Sequence, residues 1–148
     1  SEVQAYVARM RAAVEWMKAP GRFPNGVHVV FANTYEFTDA TADLESCPAV
    51  DLGAFIGFAD FENWTHPEWL QEFMVWANEE YMRIAVDTGS DLMFMFEHFC
   101  GHGFHADDPA SPCYRGPGTD RWFDLTCIHP NPTGHDRIAD MFMEVVVE

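Results

Sequence analysis

The spacing of apolar positions changes along this chain, and each change marks an element. Over residues 3–19, Val3, Val7, Met10, Val14 and Met17 recur at helical spacing, with Arg9, Arg11 and Lys18 elsewhere on the turn. Pro20-Gly21 stops that helix. After Gly26 the periodicity vanishes into Val27-His28-Val29-Val30-Phe31-Ala32, a short run rich in β-branched residues. Such a run predicts a strand buried on both faces, as in a parallel sheet. Thr65 caps a second helix over residues 67–86, with Pro67 in its first turn. Its apolar stripe is Trp69, Phe73, Trp76, Ala77, Tyr81, Ile84 and Ala85, read as core, and Gly89 ends it. Asp91-Leu92-Met93-Phe94-Met95-Phe96 reads as a second buried strand, and residues 133–147 as a closing helix. The order helix, strand, helix, strand, helix predicts an α/β fold with parallel strands.

Two stretches break the pattern. Residues 39–64 form a long acidic connection containing Cys47-Pro48, and residues 97–126 form a second one rich in His, Cys, Gly and Pro. Connections of that length inside a domain are usually functional or tied down. The four cysteines, Cys47, Cys100, Cys113 and Cys127, form no CxxC pair, and three of them fall in the second connection. An even count in loop-rich sequence predicts disulfides, with at least one bridge inside residues 100–127. It also predicts an oxidising compartment, secreted or periplasmic. Three pairings are possible, and spacing does not choose among them.

Charge and hydropathy then exclude partners. The net charge of −16 repels nucleic acid and anionic membrane surfaces alike. No apolar run approaches the roughly 20 residues that span a bilayer, so no transmembrane segment is expected. No basic stretch followed by an apolar one opens the chain, so no secretory leader is visible in it.

The chemistry is concentrated near the C-terminal end, in Ile128-His129-Pro130-Asn131-Pro132-Thr133-Gly134-His135. Pro130 restricts His129 to extended backbone just ahead of a helix. Read with Phe123-Asp124-Leu125-Thr126-Cys127, the segment resembles the last sequence block of the SGNH/GDSL-type serine hydrolases. There an Asp-x-x-His-Pro block is followed by Asn-x-x-Gly-His and an apolar helix. The resemblance covers residues 123–142. It implies a flavodoxin-like three-layer α/β/α fold and a Ser-His mechanism of ester or acyl hydrolysis, esterase- or lipase-like, with His129 as the base. Thr126 stands where the family carries the acid. Asp124 is the nearest upstream carboxylate and becomes the candidate orienting acid, with a backbone carbonyl as the alternative. His135 matches a family position to which we assign packing or capping.

The family's nucleophile block and its oxyanion-hole Gly and Asn blocks have no counterpart here. Ser46, Ser90 and Ser111 do not follow the first strand of a sheet. Two parallel strands are also too few for an independent sheet. Residues 1–148 therefore read as the C-terminal part of one domain. The serine and the oxyanion-hole residues are expected from an N-terminal chain or segment, and the substrate is an ester or lipid-like small molecule. No cofactor and no metal ligand are assigned.

Two other groups of residues bear on function. His98, His102 and His105 follow the second strand, where α/β sheets place ligand sites. Their spacing matches no zinc motif, so a wall of the hydrolase cleft is the expectation and a metal-binding module the alternative. Asp39, Asp43, Glu45 and Asp51 share one loop without an EF-hand pattern, a weak calcium signal. A noncatalytic interaction subunit that lost the acid at position 126 is a further alternative.

Overall fold

The computed structural model describes residues 2–43, 47 and 67–147. Thr65, Glu45, Ser46, Asp51 and most of the first long connection lie outside them. The described elements are α1 (Glu2–Lys18), β1 (Val30–Ala32), α2 (Pro67–Thr88), β2 (Asp91–Met93), α3 (Met95–Phe99) and α4 (Pro132–Val147). No helix among the described residues is long and apolar enough to cross a membrane.

β1 and β2 pair in parallel, with Val30 opposite Asp91, Phe31 opposite Leu92 and Ala32 opposite Met93. Successive side chains on a strand point to opposite faces, and this register sorts the core. Phe31 and Leu92 face a cluster built from Val7 and Val14 of α1 and Tyr81, Ile84 and Ala85 of α2. Val30, Ala32 and Met93 face the opposite cluster, with Phe99, Trp122, Phe123 and Met141 of α4. Helices thus cover both sides of a two-stranded sheet, in keeping with the α/β expectation. Arg11 pairs with Asp87 at 2.8 Å, and Lys18 donates to the Gly89 carbonyl at 2.5 Å, tying the ends of α1 and α2.

Both strands are shorter than the apolar runs that predict them. The second run divides: Asp91–Met93 is strand, and Met95–Phe99 is a helical turn with Met95 and Phe99 buried four residues apart. A continuous apolar run carries no period, so it does not separate a buried strand from a buried helix. The break is held by Asn33, whose side-chain oxygen accepts the Phe96 amide at 3.0 Å. In α2 the buried stripe is Met74, Ala77, Asn78, Tyr81, Ile84 and Ala85, whereas Trp69 is 62% and Phe73 37% exposed. The described residues that pack on α2 reach its later turns, so the first aromatics of the expected stripe lie outside that core.

All four cysteines are bridged, Cys47 to Cys127 and Cys100 to Cys113. The second bridge lies inside residues 100–127, as expected. It closes the loop after α3, where a Cβ on Gly101 would stand 2.3 Å from the Cys113 carbonyl oxygen, at a backbone φ of +92°. Only glycine fits both conditions. The two disulfides are compatible with an extracellular protein.

Candidate functional site

The His129 loop is a short, heavily tied hairpin. Phe123 and Pro130 form an antiparallel bridge, Asp124 N–H donates to the His129 carbonyl at 2.9 Å, and Asn131 N–H to the Trp122 carbonyl at 2.8 Å. Asn131 also closes the base through its side chain. Its amide nitrogen donates to the Arg121 carbonyl at 2.8 Å and the Phe123 carbonyl at 3.2 Å. Its side-chain oxygen accepts the Gly134 N–H at 2.9 Å. That last bond is an N-cap, with Pro132 at the first helical position. Capping therefore belongs to Asn131, and α4 begins one residue earlier than its apolar pattern suggests. His135, assigned to packing or capping from the sequence, is exposed. Gly134 is required by contact: a Cβ there would lie 2.2 Å from the Trp122 carbonyl oxygen.

Three anchors fix the hairpin to the sheet's carboxyl end. Tyr35, three residues past β1, donates its hydroxyl to the Ile128 carbonyl at 2.7 Å. Phe123 packs against Tyr35 and Phe99 with ring centroids 5.5 and 5.4 Å apart. Cys127 is bridged to Cys47 and held at a φ of 65°. Burial, and secondarily the Asp124 charge, push the Tyr35 hydroxyl pKa above its ordinary value, so it remains a donor.

At the tip, Asp124, Thr126 and His129 form one hydrogen-bonded chain. Asp124 Oδ1 accepts the Thr126 backbone N–H at 2.8 Å and lies 2.5 Å from the Thr126 hydroxyl oxygen. That hydroxyl oxygen lies 2.8 Å from His129 Nδ1 and accepts the His129 backbone N–H at 3.2 Å. The Thr126 hydroxyl bond is the main reason the Asp124 pKa falls below its ordinary value; burial opposes it and the Thr126 amide acts in the same direction. The group on Nδ1 is thus neither Asp124 nor a backbone carbonyl, the two partners expected from the sequence. Asp124 stands one hydroxyl behind it. The sequence signal was Thr126 itself, at the acid's usual spacing from His129. Nε2 carries no hydrogen bond among the described residues, and His129 is exposed.

Neither described serine belongs to this site. Ser90 Oγ is 2.9 Å from Thr88 Oγ1, and Ser111 is buried, donating to the Asp39 carbonyl at 2.9 Å.

The three loop histidines do not converge. His102 is stacked on Trp122, with ring centroids 3.5 Å apart, and its Nδ1 lies 2.7 Å from the Asp120 carbonyl. Burial lowers its pKa against the opposing pull of that carbonyl, so the ring stays neutral. His105 faces Asp43 at 3.3 Å. His98 and His102 line a cleft of about 330 Å³ with Arg115, Arg137 and Glu144, and His129 is not among its lining residues. The histidine loop therefore borders a cleft that His129 does not line. Among the described residues no group of three or more His, Cys, Asp or Glu could hold a metal ion.

The acidic loop is structural where it is described. Asp39 is fully buried, and its carboxylate accepts the amides of Gly101 at 2.8 Å, Gly103 at 2.9 Å and His105 at 2.8 Å. Both its oxygens are engaged, which leaves them unsuited to the calcium role considered from the sequence. A polar group lies at the strands' carboxyl ends, where the sequence places Asn33 to Glu36 and the structure adds Asn78 and Glu97. Asn33 donates to Glu97 at 3.3 Å, and Asn78 accepts the Thr34 amide at 3.1 Å. Glu36 Oε2 and Asn78 Nδ2 are buried with no hydrogen-bond partner among the described residues. Asn78 interrupts an apolar helical stripe, and that interruption was its signal.

No family model, no curated protein and no solved structure matches the chain.

Proposed function

We propose that this chain carries the general base of an SGNH/GDSL-type serine hydrolase acting on esters or acyl groups, with His129 as that base. The observation that carries the reading is the fixed His129 ring. It sits on a hairpin tied to the sheet's carboxyl end, with Nδ1 hydrogen-bonded and Nε2 open. α/β sheets bind their ligands at that end.

A serine hydroxyl is a poor nucleophile at neutral pH until a neutral imidazole accepts its proton. His129 Nε2 would take that proton as the serine attacks the ester carbonyl, then return it to the departing alcohol. A water molecule would release the acyl group by the same two transfers. The serine and the oxyanion-hole Gly and Asn would come from a segment outside this chain, which would complete the sheet as a flavodoxin-like three-layer fold. The disulfides support a secreted setting.

The test is covalent labelling. The complete protein bearing this chain is treated with a fluorophosphonate probe, which reacts with activated serines. Labelling of one serine outside residues 1–148, abolished in His129→Ala, is the expected result. Labelling that survives His129→Ala unchanged removes His129 from the mechanism.

A further inference from the structure

We infer that Thr126 is a positioning residue that relays the Asp124 carboxylate onto His129 through its single hydroxyl, fixing the imidazole with its proton on Nδ1. The catalytic part of this inference rests on the hydrolase reading. The proton placement does not.

Asp124 is exposed, and its pKa lies below its ordinary value, so at neutral pH its carboxylate has no hydrogen to give. Its Oδ1 stands 2.5 Å from Thr126 Oγ1, a distance that requires a hydrogen between the two oxygens. Only the Thr126 hydroxyl supplies one, and it has one. It is therefore committed to Asp124, and the 2.8 Å contact between Oγ1 and His129 Nδ1 must be bridged by a hydrogen on Nδ1. The Thr126 oxygen then uses its two lone pairs on Nδ1–H and on the His129 backbone N–H at 3.2 Å. Every donor and acceptor between Asp124 Oδ1 and His129 Nδ1 is matched in this one assignment. With the proton on Nδ1, neutral His129 presents a bare Nε2 lone pair, the form a general base needs.

When Nε2 accepts a proton, the ring becomes imidazolium. The Nδ1 proton stays on Nδ1, and no proton passes to Asp124. The hydroxyl dipole and the carboxylate behind it stabilise the new charge. Threonine at the position of the acid thus keeps the orientation and transmits part of the electrostatics. Asp124 is anchored by its own bond to the Thr126 amide at 2.8 Å, so the relay is preset within the six residues from Asp124 to His129.

Thr126→Val is close to isosteric and removes the hydroxyl. Thr126→Ser keeps it. The native protein and both variants are labelled with ¹⁵N-histidine, and ring nitrogens are observed by long-range proton–nitrogen correlation. The native protein and Thr126→Ser should show His129 protonated on Nδ1 at neutral pH. Thr126→Val should shift protonation towards Nε2 while the other histidine signals stay in place. In the same samples Thr126→Val should lower kcat by about 10²-fold with little change in KM, and Thr126→Ser should stay within a few-fold of native. An Nε2-protonated His129 in the native protein, or a Thr126→Val spectrum identical to native, overturns the relay. If the spectra behave as described while His129→Ala leaves ester turnover unchanged, the hydrolase reading fails and the relay stands.

Discussion

At the scale of single residues, position along the chain and role in the fold separate most clearly at Asp39. In sequence it is one acid among several in a long acidic loop. In the structure it is the buried post around which residues 101–105 wrap, through three backbone amides about sixty residues downstream. Sequence does not display such a role, because the partners are amides that every residue carries. Asp39→Asn should lower unfolding stability by about 2–4 kcal/mol, since charge-assisted bonds to buried amides are lost and an NH₂ group faces them. Urea denaturation followed by fluorescence of the five tryptophans measures it, and a change below about 0.5 kcal/mol, as for a surface site, contradicts it. The His129 loop was legible as a proline-bounded turn ahead of a helix for the opposite reason, because that signal is local: a histidine, two prolines and the start of an apolar helical run. The partner of His129 Nδ1 was legible only as a position: Thr126 stands at the acid's spacing, but Asp124 or a backbone carbonyl was expected where the Thr126 hydroxyl makes the contact.

At the scale of elements, α1 and α2 were readable from helical periodicity, and the order of α and β from the sequence of apolar runs. The ends of the strands were not. Phe94 to Phe96 are as apolar as the strand before them, and what turns them into α3 is the Asn33 side chain from the end of the other strand. The loop after α3 carries a prediction of its own through His102. Its folded pKa is lowered, so as pH falls below the ordinary histidine value of about 6.5 the unfolded chain binds the proton first. Stability should therefore decline as pH drops from 7.5 towards 5.5, and the decline should be shallower in His102→Gln. Thermal melts of both proteins across that range provide the comparison, and equal slopes contradict it. The Cys47–Cys127 bridge closes a separation of 80 residues and ends two positions from His129. In the chain-entropy view such a closure contributes about 4.5 kcal/mol. Replacing both cysteines by alanine should lower the denaturation midpoint markedly. A midpoint unchanged from native would mean that the bridge does not restrain the unfolded chain.

At the scale of the molecule, the two three-residue strands among the described residues, with helices on both faces, leave room for their sheet to grow only at its edges. A sheet of this size does not stand alone. The account therefore predicts tight association with a segment that contributes further parallel strands, burying more than the roughly 1,600 Å² of a standard interface. Light scattering on native material should give a mass larger than this chain alone, and a stable, well-folded monomer of residues 1–148 contradicts the prediction. That further segment is an expectation, whereas the α/β class could be read from the order of the elements.

The central claim is that His129 is the proton acceptor of an ester hydrolysis, and it is tested most directly by turnover of a p-nitrophenyl ester by the complete protein and its His129→Ala variant. The account predicts a loss of at least about 10³-fold in kcat, because proton transfer and nucleophile activation disappear together. Equal turnover by the two proteins, both correctly folded, would contradict it.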